Sequence, residues 1–132
     1  MITKIHPDKQ KAYSLIKMAE ITLERLKEID PNKYPSNTLK DYYDIIHQLI
    51  EALTLGEGIK FRGESAHKEL IDYVSKKYDF EEQTRIFLQE MRDYRNKISY
   101  EGFNINTNYI VTNQEKIGKI IDKIKVINKH KE

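Results

Sequence analysis

Apolar side chains recur along this chain at alternating spacings of three and four residues, the interval that stacks them on one face of a helix. A first helix is predicted from about Asp8 to Ile29, with Ala12, Leu15, Ile16, Ala19, Leu23 and Leu26 sharing a face. Pro31 lacks an amide donor and restricts the residue before it, so Asp30 to Pro35 reads as a loop. The second helix has the clearest stripe: Leu39, Tyr42, Tyr43, Ile46, Leu49, Ile50 and Leu53. Asn37 or Thr38 is expected to cap it, and Gly56-Glu57-Gly58 to end it. A third, from about Ser65 to Tyr78, carries His67, Leu70, Ile71, Val74 and Tyr78 on one side.

Asp79, with Glu82 three residues on, resembles a capping box opening a fourth helix. Phe80, Thr84, Phe87, Leu88, Met91 and Ile98 mark its inner side, and Gly102 is expected to terminate it. A last helix carries Ile117, Ile120, Ile121, Ile124 and Ile127. It begins either at Thr112-Asn113-Gln114-Glu115 or earlier, at Asn106 or Asn108. Short connections between long amphipathic helices predict an all-α, antiparallel up-and-down bundle of four to five helices, in one domain spanning 1–132.

Composition narrows this picture. With 39% hydrophobic and 33% charged residues the chain has globular rather than disordered proportions, and 5 Gly and 3 Pro are too few for an all-β fold. Having no Cys, it carries no disulfide, thiolate metal site or cysteine nucleophile. No apolar run approaches the ~20 residues that cross a bilayer, and no signal-peptide segment is evident, so a cytoplasmic protein without membrane association is expected. A net charge of +2 does not by itself point to nucleic acid. The end of the chain is locally basic: Lys116, Lys119, Lys123, Lys125, Lys129 and Lys131 face only Asp122 and Glu132. Such a run is most often a solvated helix face.

Most catalytic signatures are missing. The glycines at 56 and 58 suit an inter-helix turn, no His pair has helical zinc spacing, and no Glu-x-x-His pair suggests a di-metal bundle. No metal or cofactor is expected. Lys40, Asp44, His47 and Glu51 line up along the second helix, a row with proton-handling chemistry that reads more simply as an exposed, charge-alternating face. His67 falls on an apolar stripe as a partly buried imidazole, and the nine Tyr mostly fall at core spacing.

The fourth helix closes on Arg92-Asp93-Tyr94-Arg95-Asn96-Lys97-Ile98-Ser99-Tyr100-Glu101-Gly102. Arg95 is four residues after Met91 and three before Ile98, so it projects beside the apolar stripe. A guanidinium there must be paired, reach solvent or face a cleft. Its planar fork of donors suits phosphate, and Asn96 adds donors and an acceptor. The plainer explanation is an ion pair with Asp44 or Glu51.

This segment resembles the motif of HEPN domains (higher eukaryote and prokaryote nucleotide-binding): an Arg, a polar residue such as Asn, and a His a few residues later near the end of the fourth helix. The likeness extends over nearly the whole chain, through Glu51-Ala52-Leu53 and its glycine turn, Ala66-His67-Lys68-Glu69-Leu70, and Arg95-Asn96 onward. It is greatest to small prokaryotic members encoded beside minimal nucleotidyltransferases. The resemblance implies a homodimer with the motif near the subunit seam, no cofactor, and a nucleotidyltransferase partner in a toxin–antitoxin-like module. Arg92 and Arg95 would hold nucleotide or RNA phosphate, and Arg95, Asn96 and Tyr100 would form the catalytic positions. Many members are metal-independent ribonucleases and others are inactive binding partners. Tyr100 stands where the His is expected, and a phenol titrating near 10 is a poor base at neutral pH. The resemblance therefore leaves enzymatic activity open, with a purely structural interaction module as a further alternative.

Overall fold

Asp8 opens the first helix, α1 (Lys9–Lys27), by accepting the Lys11 amide at 2.9 Å. A short loop then leads to α2 (Pro35–Gly56), which starts earlier than expected. Pro35 occupies the first turn, where a missing amide costs nothing, and Tyr34 is the capping position without a side-chain bond. Thr38 instead lies inside the helix, buried, its hydroxyl donating to the Pro31 carbonyl at 2.7 Å. The remaining helices are α3 (Ala66–Lys77), α4 (Glu82–Glu101) and α5 (Thr107–Lys131). Asp79 does not cap α4; it adopts φ 54° in the turn after α3, and Glu81 is the capping residue. Gly102 ends α4 in the left-handed conformation, as expected. Of the possible starts for α5, the earliest is used: the Asn106 carboxamide oxygen accepts the Asn108 amide at 2.8 Å.

The chain, a computed structural model describing residues 1–131, is an all-α bundle with one short ribbon. Strand β1 (Ile2–Lys4) pairs antiparallel with β2 (Ile59–Phe61), Thr3 opposite Lys60. The segment read as a plain inter-helix turn therefore includes a strand. Central α2 is packed by α1, α5, α3 and α4. It supplies most of the fully buried side chains, among them Leu39, Tyr43, Ile46, Leu49 and Ile50. Met91 of α4 and Ile110, Ile117 and Ile124 of α5 complete the core. Because β2 carries the chain back along α2, α3 begins beside Tyr43 and His47 and ends beside Glu57. Among the described residues, no helix is long and apolar enough to cross a membrane.

The ribbon depends on Gly58. Its φ is +81°, and a Cβ there would lie 2.6 Å from the Ile5 carbonyl oxygen, which belongs to the segment the Gly58 carbonyl holds at 2.8 Å through the Ile5 amide. Gly58→Ala is expected to destabilise the chain by about 1–3 kcal/mol, read as a lowered urea midpoint. Gly56→Ala, where a Cβ meets nothing within 4 Å, is the control that should leave the midpoint nearly unchanged.

Candidate functional site

Within the row on α2, His47 and Glu51 are covered, while the Asp44 side chain stays 46% exposed. The His47 side chain is 18% exposed, and α3, β2 and α4 close around it. Glu51 accepts from His47 Nε2 at 3.2 Å and pairs with Lys60 of β2 at 3.4 Å. The His47 hydrogen bond is the main reason the Glu51 carboxyl is pulled down to about 2, with Lys60 adding to it against the opposing effect of burial.

His67, from the first turn of α3, stacks on His47 with ring centroids 4.0 Å apart, and its Nδ1 lies 3.5 Å from the buried Tyr43 hydroxyl. Its outer edge is open to solvent while its inner face is covered by His47. This partial desolvation, reinforced by His47, Arg95 and Arg92, lowers its pKa to about 4 and makes it a neutral imidazole at pH 7. Beside the pair, His47, Glu51, Lys60 and His67 form the polar side of a small pocket of about 140 Å³, with Leu55, Ile59 and Leu70 opposite.

Arg95 reaches this cluster from α4. Its Nε lies 3.6 Å from Asp44 Oδ1, beyond hydrogen-bond range, and is buried without a hydrogen-bond partner. A carboxylate locked onto a guanidinium should sit below its usual range. Asp44 sits above it, because burial outweighs the attraction of Arg95. The ion pair anticipated with Asp44 is thus present but loose. Glu51, the other anticipated partner, is bonded to His47 and Lys60 instead. Arg92 lies in the same electrostatic neighbourhood, opposing with Arg95 the rise that burial imposes on the Tyr43 phenol. Arg92 donates to Gln89 at 2.9 Å and pairs with Asp93 at 3.1 Å.

The other two motif positions stand apart. Asn96 is half-buried with no side-chain hydrogen bond among those described, and Tyr100 is 79% exposed, outside every ring contact of the cluster. Five residues along a helix turn the side chain by about 140°, which separates Tyr100 from the direction of Arg95. What sequence reasoning missed is that His47 and His67, on different helices, meet beside Arg95. The one available signal was the row of ionisable residues at 44, 47 and 51. Among the described residues, no three His, Asp or Glu converge on a point where they would hold a metal. Three of the six C-terminal lysines lie over rings: Lys116 over Phe87 at 4.1 Å, Lys123 over Phe80 at 4.7 Å and Lys131 over Tyr78 at 5.6 Å.

Acid is expected to act on this cluster in two stages. The folded pKa of His67 is depressed below its unfolded value near 6.5, so its contribution is complete above that pH and is lost as pH falls toward 4. Glu51 is likewise depressed, and its contribution is lost between about 4.5 and 2. The urea midpoint should therefore fall from pH 7 to pH 4.5, and His67→Ala should flatten that upper stage alone. Asp44, raised by burial, contributes with the opposite sign as pH falls, so the decisive comparison is between chains: a His67→Ala profile that matches wild type over the same range would refute the assignment.

Neither models of protein families, nor curated proteins, nor solved structures give a match to this chain.

Proposed function

We propose that this protein is a HEPN-like helical bundle that binds nucleotide or RNA phosphate, with Arg95 and Arg92 as cationic donors and His67 beside them. The observation that carries the reading is the loose Arg95 guanidinium, 24% exposed and 3.6 Å from Asp44, in the electrostatic neighbourhood of the neutral His67 imidazole. Its Nε is shielded, but the partly exposed guanidinium offers its outer nitrogens to an incoming phosphate oxygen, a closer acceptor than Asp44. The HEPN resemblance adds the expected context: a cytoplasmic homodimer associated with a minimal nucleotidyltransferase in a toxin–antitoxin-like module. Titration of the chain with a fluorescent nucleotide and with a short RNA, in wild type and Arg95→Ala, tests it. Saturable binding lost in the variant is expected; wild-type chain that binds neither probe at low salt rejects it.

A second reading is a metal-independent ribonuclease, and one observation favours it specifically. The stacked His47–His67 pair places an imidazole beside Arg95, which Tyr100, turned to solvent, does not supply.

A further inference from the structure

The small pocket beside the His47–His67 stack joins an apolar lining to a pair of opposite charges. Ile59 and Phe61 of β2 and Leu70 of α3 supply the carbon surface, and Phe61 is a partly exposed ring backed by Tyr73 at a centroid distance of 5.5 Å. Glu51 and Lys60 supply the charges, and with side chains 23% and 28% exposed both can be reached from solvent. The volume, about 140 Å³, suits one planar ring system.

Neither charge is used up. Glu51 accepts from His47 at 3.2 Å and from Lys60 at 3.4 Å, both at or past the long end of the usual hydrogen-bond range. A carboxylate has about four acceptor sites and an ammonium three donors. Among the described residues, these two contacts are all the hydrogen bonds and ion pairs that the Glu51 and Lys60 side chains make. With its carboxyl held down to about 2, Glu51 only accepts at neutral pH. An incoming ring therefore meets two acceptors next to one donor.

Unpaired bases are read on their Watson–Crick edge and stacked on aromatic side chains. Of the four RNA bases, only guanine answers this edge with two adjacent donors, its ring N–H and exocyclic amine, followed by an acceptor, its carbonyl oxygen. Adenine and cytosine set one donor group beside a ring acceptor, and uracil holds its donor between two acceptors. The spacing fits as well. Asp44, which marks the position of Arg95, and Glu51 lie on one face of α2, seven residues and about 10 Å apart. A single nucleotide covers such a span from its phosphate to the far edge of its base. His67, stacked on His47 between these two levels, also lines the pocket.

We infer that this pocket takes a guanine base, its ring N–H and exocyclic amine donating to the Glu51 carboxylate and its carbonyl oxygen accepting from Lys60, while the phosphate of the same nucleotide sits on Arg95. The inference rests on the proposed phosphate site and adds which nucleotide that site selects.

Calorimetric titration of the full chain with guanosine, adenosine, cytidine and uridine monophosphates tests it. Guanosine monophosphate should bind about 10- to 100-fold more tightly than the other three, the scale of hydrogen bonds to charged groups. Inosine monophosphate, which lacks the exocyclic amine, should bind about 10-fold more weakly than guanosine monophosphate. Glu51→Gln should erase the preference, whereas Arg95→Ala should weaken all four nucleotides alike and keep it. Wild-type chain that binds the four equally, or inosine and guanosine monophosphates equally, overturns the guanine pocket and leaves the phosphate site standing. A preference that survives Glu51→Gln overturns it too. Guanosine without phosphate separates the two claims from the other side: if it binds as tightly as guanosine monophosphate, and Arg95→Ala changes neither, the base pocket holds and the phosphate site falls. Binding of none of these probes removes both.

Discussion

Arg95→Ala is expected to weaken nucleotide or RNA binding by about 10- to 100-fold, since a hydrogen bond to a charged group contributes about 1.5–3 kcal/mol, while leaving the melting temperature within a few degrees. The second half of that expectation separates the readings. A guanidinium locked into an internal pair is costly to delete, because its carboxylate is left buried and alone, at about 3–5 kcal/mol. Here the partner carboxylate is Asp44, whose side chain is 46% exposed and whose pKa already lies above the usual range with Arg95 in place. Removing the cation leaves Asp44 easily hydrated. A variant that loses binding yet melts normally supports a phosphate-facing Arg95. One that melts much lower and keeps its affinity supports the structural module. Tyr100→Phe is the control on the same helix: at 79% exposure and outside the cluster, its hydroxyl should contribute nothing measurable to affinity.

The helices were legible because each carries its own periodic stripe; those of α2 and α5 return as the core almost residue for residue. Boundaries were less so. Asp79 with Glu82 looks like a capping box, but the sharp turn at Phe80, whose amide bonds back to Ser75, takes Asp79 into the left-handed region and delays the helix to Glu82. The ribbon was invisible because three residues, Ile2–Lys4 or Ile59–Phe61, are too short to display alternation. The site was half legible. The placement of Arg95 at the edge of an apolar stripe follows from helical spacing alone. That His67 comes to lie on His47 does not, because it depends on β2 turning the chain back so that α3 starts beside the middle of α2. For the same reason His47 and Glu51, part of a row that looks like an exposed charged face from one helix, become covered once three elements close over them.

If the chain cleaves RNA without metal, His67→Ala should reduce the rate by about 10²–10⁴-fold, the usual contribution of a general acid or base, with affinity for an uncleavable analogue nearly unchanged. In this reaction a ribose 2′-hydroxyl gives its proton to the neutral His67 imidazole as its oxygen bonds to phosphorus, the P–O5′ bond breaks, and the departing oxygen takes a proton from water. His47 cannot serve as the opposing acid, because stacked rings 4.0 Å apart lie on one side of any phosphate. It acts as a positioning residue, covering one face of His67 while Glu51 fixes its own orientation. The pH profile distinguishes these roles. An imidazole held at about 4 in the free chain is a weak base, and the nearby phosphate anion should raise that value, so cleavage should rise with pH along a limb set above 4. His47→Gln should shift that limb without abolishing cleavage, whereas His67→Ala should remove it. Wild-type chain that binds RNA and never cuts it would eliminate the ribonuclease reading and leave His67 as a neutral neighbour of a phosphate held by Arg95.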